Sequence, residues 1–178
     1  MRKSTRVAWF GLGVVLAAAA LAIATWWWRH PTLFLPTGGT IGSERVPIGR
    51  PIHVGVVGLR AGDSATVTID QVVAQVSQNS ADASISFSVC SDPDGVPIGI
   101  ANGRLDRWCR QIDPVEKAEL TTGEGHFDQV VITIVPARAG AVEIDGVELT
   151  YSHGWQRGSQ LTGPHLRLVA RPEPRRRS

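Results

Sequence analysis

The sequence predicts an all-β fold, a β-sandwich of about eight strands, preceded by one transmembrane helix. Three observations carry this. Apolar and polar residues alternate with period two over much of 46–170, clusters of Gly, Pro, Asn and Asp separate the alternating runs, and an uncharged apolar run stands in front of them. In 178 residues there is room for one domain and little beyond it.

The first element is the uncharged run Val7 to Trp28, 22 residues reading VAWFGLGVVLAAAALAIATWWW. As a helix it covers about 33 Å, enough for a bilayer core. Arg2, Lys3 and Arg6 precede it and only Arg29 and His30 follow, so residues 1–6 are expected to stay cytoplasmic and the remainder to be exported. Trp26, Trp27 and Trp28 then fall at the outer membrane interface, where indoles prefer to lie, which favours a retained signal anchor over 7–28 at the cell membrane. Ala22-Ile23-Ala24 also fits a small-x-small cleavage pattern, and cutting there would release a secreted protein starting at Thr25.

Residues 29–45 hold Pro31 and Pro36 with several glycines and little apolar periodicity, and read as a stalk. The exported domain is placed at 46–170. Its strands are expected at His53–Val57, around Val67 and Ile69, at Val72–Val76, Ile85–Val89, Val96–Ile100, Gln129–Val135, Val142–Ile144 with Val147–Tyr151, and at Leu166–Leu168, with Leu105–Ile112 a weaker case. Asp92-Pro93-Asp94-Gly95, Ala101-Asn102-Gly103 and Asp145-Gly146 supply turn chemistry between them. Asp113-Pro114-Val115-Glu116 has the order of an N-cap, a first-turn proline and a third-position acid, predicting a short helical turn over 114–120. Val67–Val72 and Val142–Val147 share the pattern V-x-I-D-x-V, which fits either two bulges or a duplicated half-sandwich. Ile132–Pro136 followed by Gly140, Val142, Ile144 and Tyr151 resembles the later strands of immunoglobulin-like bacterial surface modules, so the sandwich is expected to be immunoglobulin-like in general architecture. That resemblance implies a fold and no activity.

Cys90 and Cys109 are the two cysteines, and an even count in an exported domain points to one disulfide. Charge then narrows the function. The termini hold eight basic residues (Arg2, Lys3, Arg6, Arg29, Arg171, Arg175, Arg176, Arg177) and one acid, Glu173; removed from totals of 18 and 16 they leave 10 and 15 over 31–170, a formal −5. An acidic domain is a poor match for nucleic acid, and the basic 171–178 reads as a disordered tail, expected to be a solvated end with no role or, in the alternative, one loosely attracted to anionic headgroups or envelope polymers.

Motifs for catalysis and metals are thin. There is no G-x-S-x-G; Gly62-Asp63-Ser64 is followed by Ala65 and no later D-x-x-H. The five histidines lack metal-ligand spacing, and Met1 is the only methionine. Asp92 and Asp94 resemble a fragment of a calcium loop without the rest of its pattern. No cofactor or metal is therefore expected, and no catalytic residue. The expected function is a non-catalytic, single-pass membrane-anchored protein whose exported domain serves an envelope interaction or assembly role, with a protein or envelope polymer as partner. The alternative is an exported hydrolase of envelope polymer, whose paired carboxylates sequence alone does not single out. The candidate contact surface is the segment Ser152 to Pro164, read as a long loop, where Trp155, Gln156, Arg157 and Gln160 are residue types suited to binding. The competing expectation is that Trp155 folds back to close the end of the sandwich.

Overall fold

The computed structural model describes residues 4–29, 33–34, 38–59, 65–91, 97–123 and 126–172. A helix, α1 (Ser4–Arg29), comes first, followed by β1 (Thr40–Pro47), β2 (Ile52–Gly58), β3 (Ala65–Asn79), β4 (Ser84–Ser91) and β5 (Ile100–Asn102). After a 3-10 turn at Leu105–Arg107 come β6 (Gln111–Pro114), β7 (Glu119–Gly123), β8 (His126–Phe127), β9 (Gln129–Val135), β10 (Gly140–His153), β11 (Gln156–Thr162) and β12 (His165–Arg171). One sheet has the order β1-β12-β10-β3-β7-β8, with β11 attached to β10, and the other runs β5-β2-β9-β4-β6. The fold is an all-β sandwich of two sheets.

The alternation seen in the sequence is what faces the sheets toward each other. Val67, Ile69, Leu149, Tyr151, Leu166 and Leu168 from one sheet and Ile52, Val54, Val130, Ile132 and Ile134 from the other form one buried cluster. Each such side chain contributes about 1.5–3 kcal/mol on leaving water. Strand β9 lies in the middle of the smaller sheet and is covered on both faces: Val130, Ile132 and Ile134 point into the main core, while Val131 points out to a second, smaller cluster with Ile98, Ala101, Leu105, Cys90 and Cys109. The segment from Ile98 to Cys109, β5 included, forms the lid over that outer face. Ordering about a dozen residues costs about 1–2 kcal/mol each, more than three aliphatic side chains return. The Cys90–Cys109 disulfide, with Cα atoms 5.3 Å apart, holds the lid down. His53 adds to it, its ring nitrogens hydrogen-bonded to the Thr133 hydroxyl at 2.9 Å and the Gly103 carbonyl oxygen at 2.8 Å.

The two V-x-I-D-x-V segments sit at opposite ends of the β3–β10 pair. Val73 faces Glu148, and Asp70 and Asp145 each lie three residues before that pair, each at a shift in register. Gly146, beside Asp145, has φ of +109°. The repeated pattern thus marks two bulges, placed symmetrically in one ladder.

Several expected elements differ. Residues 114–120 form no helical turn: Asp113 accepts a hydrogen bond from Gln111 Nε2 at 2.8 Å instead of capping, and Lys117 takes φ of +59°. The chain there must pass from one sheet to the other, and Lys117 N and Ala118 O bond the Ile69 backbone, so ladder pairing overrides local helix signals. The two runs around Ile69 and Val72–Val76 are one strand, β3. Ile100 begins β5 where a strand ending at that residue was expected, and Leu105–Ile112 divides into the 3-10 turn and the start of β6. Part of the expected stalk belongs to the sandwich: Phe34 is fully buried, and β1 pairs in parallel with β12. Ser152–Pro164 is mostly the strand β11, paired back on β10.

In α1 the described side chains are those of Val15–Trp26 and Trp28. Among the described residues no helix is long and apolar enough to cross a membrane.

Candidate functional site

The β10–β11 hairpin closes through Gly154 and Trp155, with His153 opposite Gln156. Gly154 has φ of +60°, the conformation that a two-residue hairpin of type II′ requires at its first central position. Trp155 follows at the tip and is 80% exposed, so it does not close the sandwich. Beyond the tip, period two separates the candidate residues. Gln156 and Gln160 face inward and are partly buried, whereas Arg157 shares the exposed outer face with Ser159 and Leu161. The four do not converge on one ligand-sized site.

Gln160 is engaged with the chain's own backbone. Its Nε2 donates to the Phe34 carbonyl oxygen at 2.9 Å, and its Oε1 accepts from the Phe34 N–H at 3.4 Å. Phe34 also forms a bridge with Leu59 and stands edge-on to Tyr151, ring centroids 4.8 Å apart at 86°. Burial pushes the Tyr151 hydroxyl's pKa up, opposed by a hydrogen bond from the Leu33 backbone. Trp155 instead touches the helix: its ring and that of Trp28 have centroids 3.5 Å apart at a tilt of 53°. Trp26 and Trp28, two of the three expected interfacial tryptophans, are exposed at 62% and 37%; the side chain of Trp27 lies outside the described residues.

A cavity of about 470 Å³ opens elsewhere, at one end of the sandwich. Ile41, Val56, Val57, Leu59 and Phe127 form its walls with Gly38, Gly39, Gly55 and Gly58, and among the described residues no lining side chain is ionisable. Glycine is required at position 55, because a Cβ there would land on the Ile98 carbonyl oxygen and on Gln129 Oε1. Gln129, buried beside the cavity, accepts from the Ile98 N–H through Oε1 at 3.3 Å, and among the described residues its Nε2 has no hydrogen-bond partner. Nothing in the sequence marked this cavity, since its walls come from five separate stretches of chain.

Among the described residues, five acids each have a partner of their own. Asp106 is bound by Arg104, whose hydrogen bond holds its carboxyl below the usual range, in full exposure. Asp145 bonds His165 at 2.8 Å, Glu143 bonds Arg167 at 3.2 Å, and Glu148 accepts from Gln75 and Ser159. Asp128, buried, accepts from the Thr121 N–H at 2.8 Å and serves the β7–β8 turn. Among the described residues no group of three His, Cys, Asp or Glu side chains could hold a metal ion. Asp92 and Asp94, Gly62–Ser64 and residues 173–178 of the basic tail lie outside the described residues.

No protein-family model matches the chain, and no curated protein matches it.

Proposed function

We propose that this chain is a non-catalytic, single-pass membrane-anchored protein whose β-sandwich, immunoglobulin-like in general architecture, is exported and serves an envelope interaction or assembly role. The observation that carries the non-catalytic reading is the cavity. Among the described residues its lining is mostly apolar and holds no ionisable side chain, which suits shape-driven binding of an apolar group. A hydrolase of envelope polymer needs two carboxylates across a cleft, and the acids described above are each taken up by a separate partner at the surface or in a turn.

The membrane assignment draws on the 22 uncharged residues Val7 to Trp28 and on the helical backbone of Ser4–Arg29, about 39 Å long. The Cys90–Cys109 bridge fits an oxidising compartment outside the cytoplasm, and the basic residues before the helix favour a cytoplasmic N-terminus.

Two measurements test the proposal. After alkaline carbonate washing the protein is expected in the membrane pellet at full-length mass; a soluble product beginning at Thr25 overturns the anchor. A photo-crosslinking amino acid at Ile41, in the cavity wall, is expected to give a discrete light-dependent adduct in cells. Absence of any adduct, together with cleavage of envelope polymer by the purified protein, overturns the binding role.

A further inference from the structure

We infer that the tip of the β10–β11 hairpin is a second membrane contact, in which Trp155 lies in the interfacial zone of a phospholipid bilayer beside the end of α1. The inference rests on the reading of α1 as an anchor and adds a fixed orientation of the sandwich on the lipid.

The first support is the length of the tether. Phe34 is locked into the sandwich by Gln160, Leu59 and Tyr151, and only five residue steps separate it from Arg29 at the end of α1. Fully extended, five steps reach about 18 Å. The domain therefore cannot stand off from the helix end on a long stalk. The second support is the direction of the hairpin. Gln160 sits where Phe34 is locked, and from there β11 runs back five residues to Trp155, about 17 Å of strand. Hairpin and tether are thus of matched length, and the tip arrives at the helix end, where the Trp155 and Trp28 rings meet.

The third support is chemistry. An indole left 80% exposed at a two-residue turn gives up apolar burial that the core could have supplied. An interface of headgroups and upper acyl chain restores it, because the ring is apolar and the N–H remains able to donate. Trp26 and Trp28, also exposed, belong to the same level, and Arg157, exposed next to the tip, is placed to meet lipid phosphate. Beyond Arg157 the outer hairpin face carries Ser159 bonded to Glu148, a polar step that separates the tip from the exposed Leu161 and confines insertion to the tip.

The test uses the full-length protein in phosphatidylethanolamine and phosphatidylglycerol nanodiscs, with an environment-sensitive fluorophore on single cysteines introduced as W155C, R157C, W26C and S84C. Trp155 and Arg157 are exposed, so neither change should disturb the core. Lipids brominated near the headgroup are expected to quench the probes at 155, 157 and 26 at least twofold more than the probe at 84, which lies on β4 in the other sheet. Quenching at 26 without quenching at 155 and 157 overturns the second contact and leaves the anchor standing. If 26 is unquenched, the anchor reading fails and the inference fails with it. A probe at 155 that is shielded from aqueous quencher but indifferent to brominated lipid assigns the tip to a protein partner and also overturns the inference.

Discussion

Gln160 holds Phe34 by both ends of its side-chain amide, accepting from the Phe34 N–H and donating to the Phe34 carbonyl oxygen, across 126 positions of sequence. An extended backbone residue is thereby paired as if to one more strand, and the chain leaving the helix is stitched to the last hairpin of the domain.

Replacing Gln160 with Ala removes both hydrogen bonds and leaves the Phe34 backbone groups in a partly buried place. A loss of about 1–3 kcal/mol is expected. Denaturant unfolding should show the lower midpoint, and hydrogen exchange should show faster exchange at Phe34. An unchanged midpoint would mean that water replaces the amide without cost.

Tyr151 is the only tyrosine in the chain, so phenolate absorbance reports this residue alone. Burial raises its pKa, and the titration midpoint of the folded protein is expected above the ordinary value of about 10. The folded state then holds the proton more tightly than the unfolded one. Stability from this group is complete below about pH 10 and declines as pH rises through the folded pKa. Tyr151→Phe should flatten that alkaline decline; a midpoint at or below 10 would contradict the burial argument.

Breaking the disulfide should open the lid before the sandwich. Intact mass without reductant is expected two hydrogens lighter than after reduction. The paired Cys90→Ala and Cys109→Ala changes should cost on the order of 3 kcal/mol. Hydrogen exchange should rise first over 98–109, because the main cluster between the sheets does not include those residues. Simultaneous loss of protection in β9 and β10 would show that lid and core unfold as one unit.

Gly55→Ala tests the close approach of β2 to the lid. The added methyl group would meet the Ile98 carbonyl oxygen, which is backbone and cannot swing aside, as well as Gln129 Oε1. A cost of about 1–3 kcal/mol is expected, read as a lowered melting temperature. Gly38→Ala, with open space around its Cβ, should leave the melting temperature unchanged.

What the sequence determined by itself was the class of fold and most of its central strands. In Ile85–Val89 and Leu166–Leu168 an alternating pattern meets a two-sided environment, and period two is a property of the strand itself, whereas Gln129–Val135 is apolar almost throughout because both of its faces are covered. The cysteine pairing was equally legible, because two cysteines allow one intramolecular bridge. Tertiary structure decided the rest. β1 and β11 lack a clean alternation, since β1 is an edge strand and β11 faces water on one side with glycine and serine among its residues; they are strands because β12 and β10 offer them ladders. Ladder pairing, here with the Ile69 backbone of β3, turned the expected helical turn after Asp113 into a sheet-to-sheet crossing. It also carried Gln160 inward to Phe34 and left Trp155 at the tip, dividing residues that sequence proximity had grouped. Local composition records what a residue can do, whereas the partner that makes it do so stands in this molecule as much as 126 residues away.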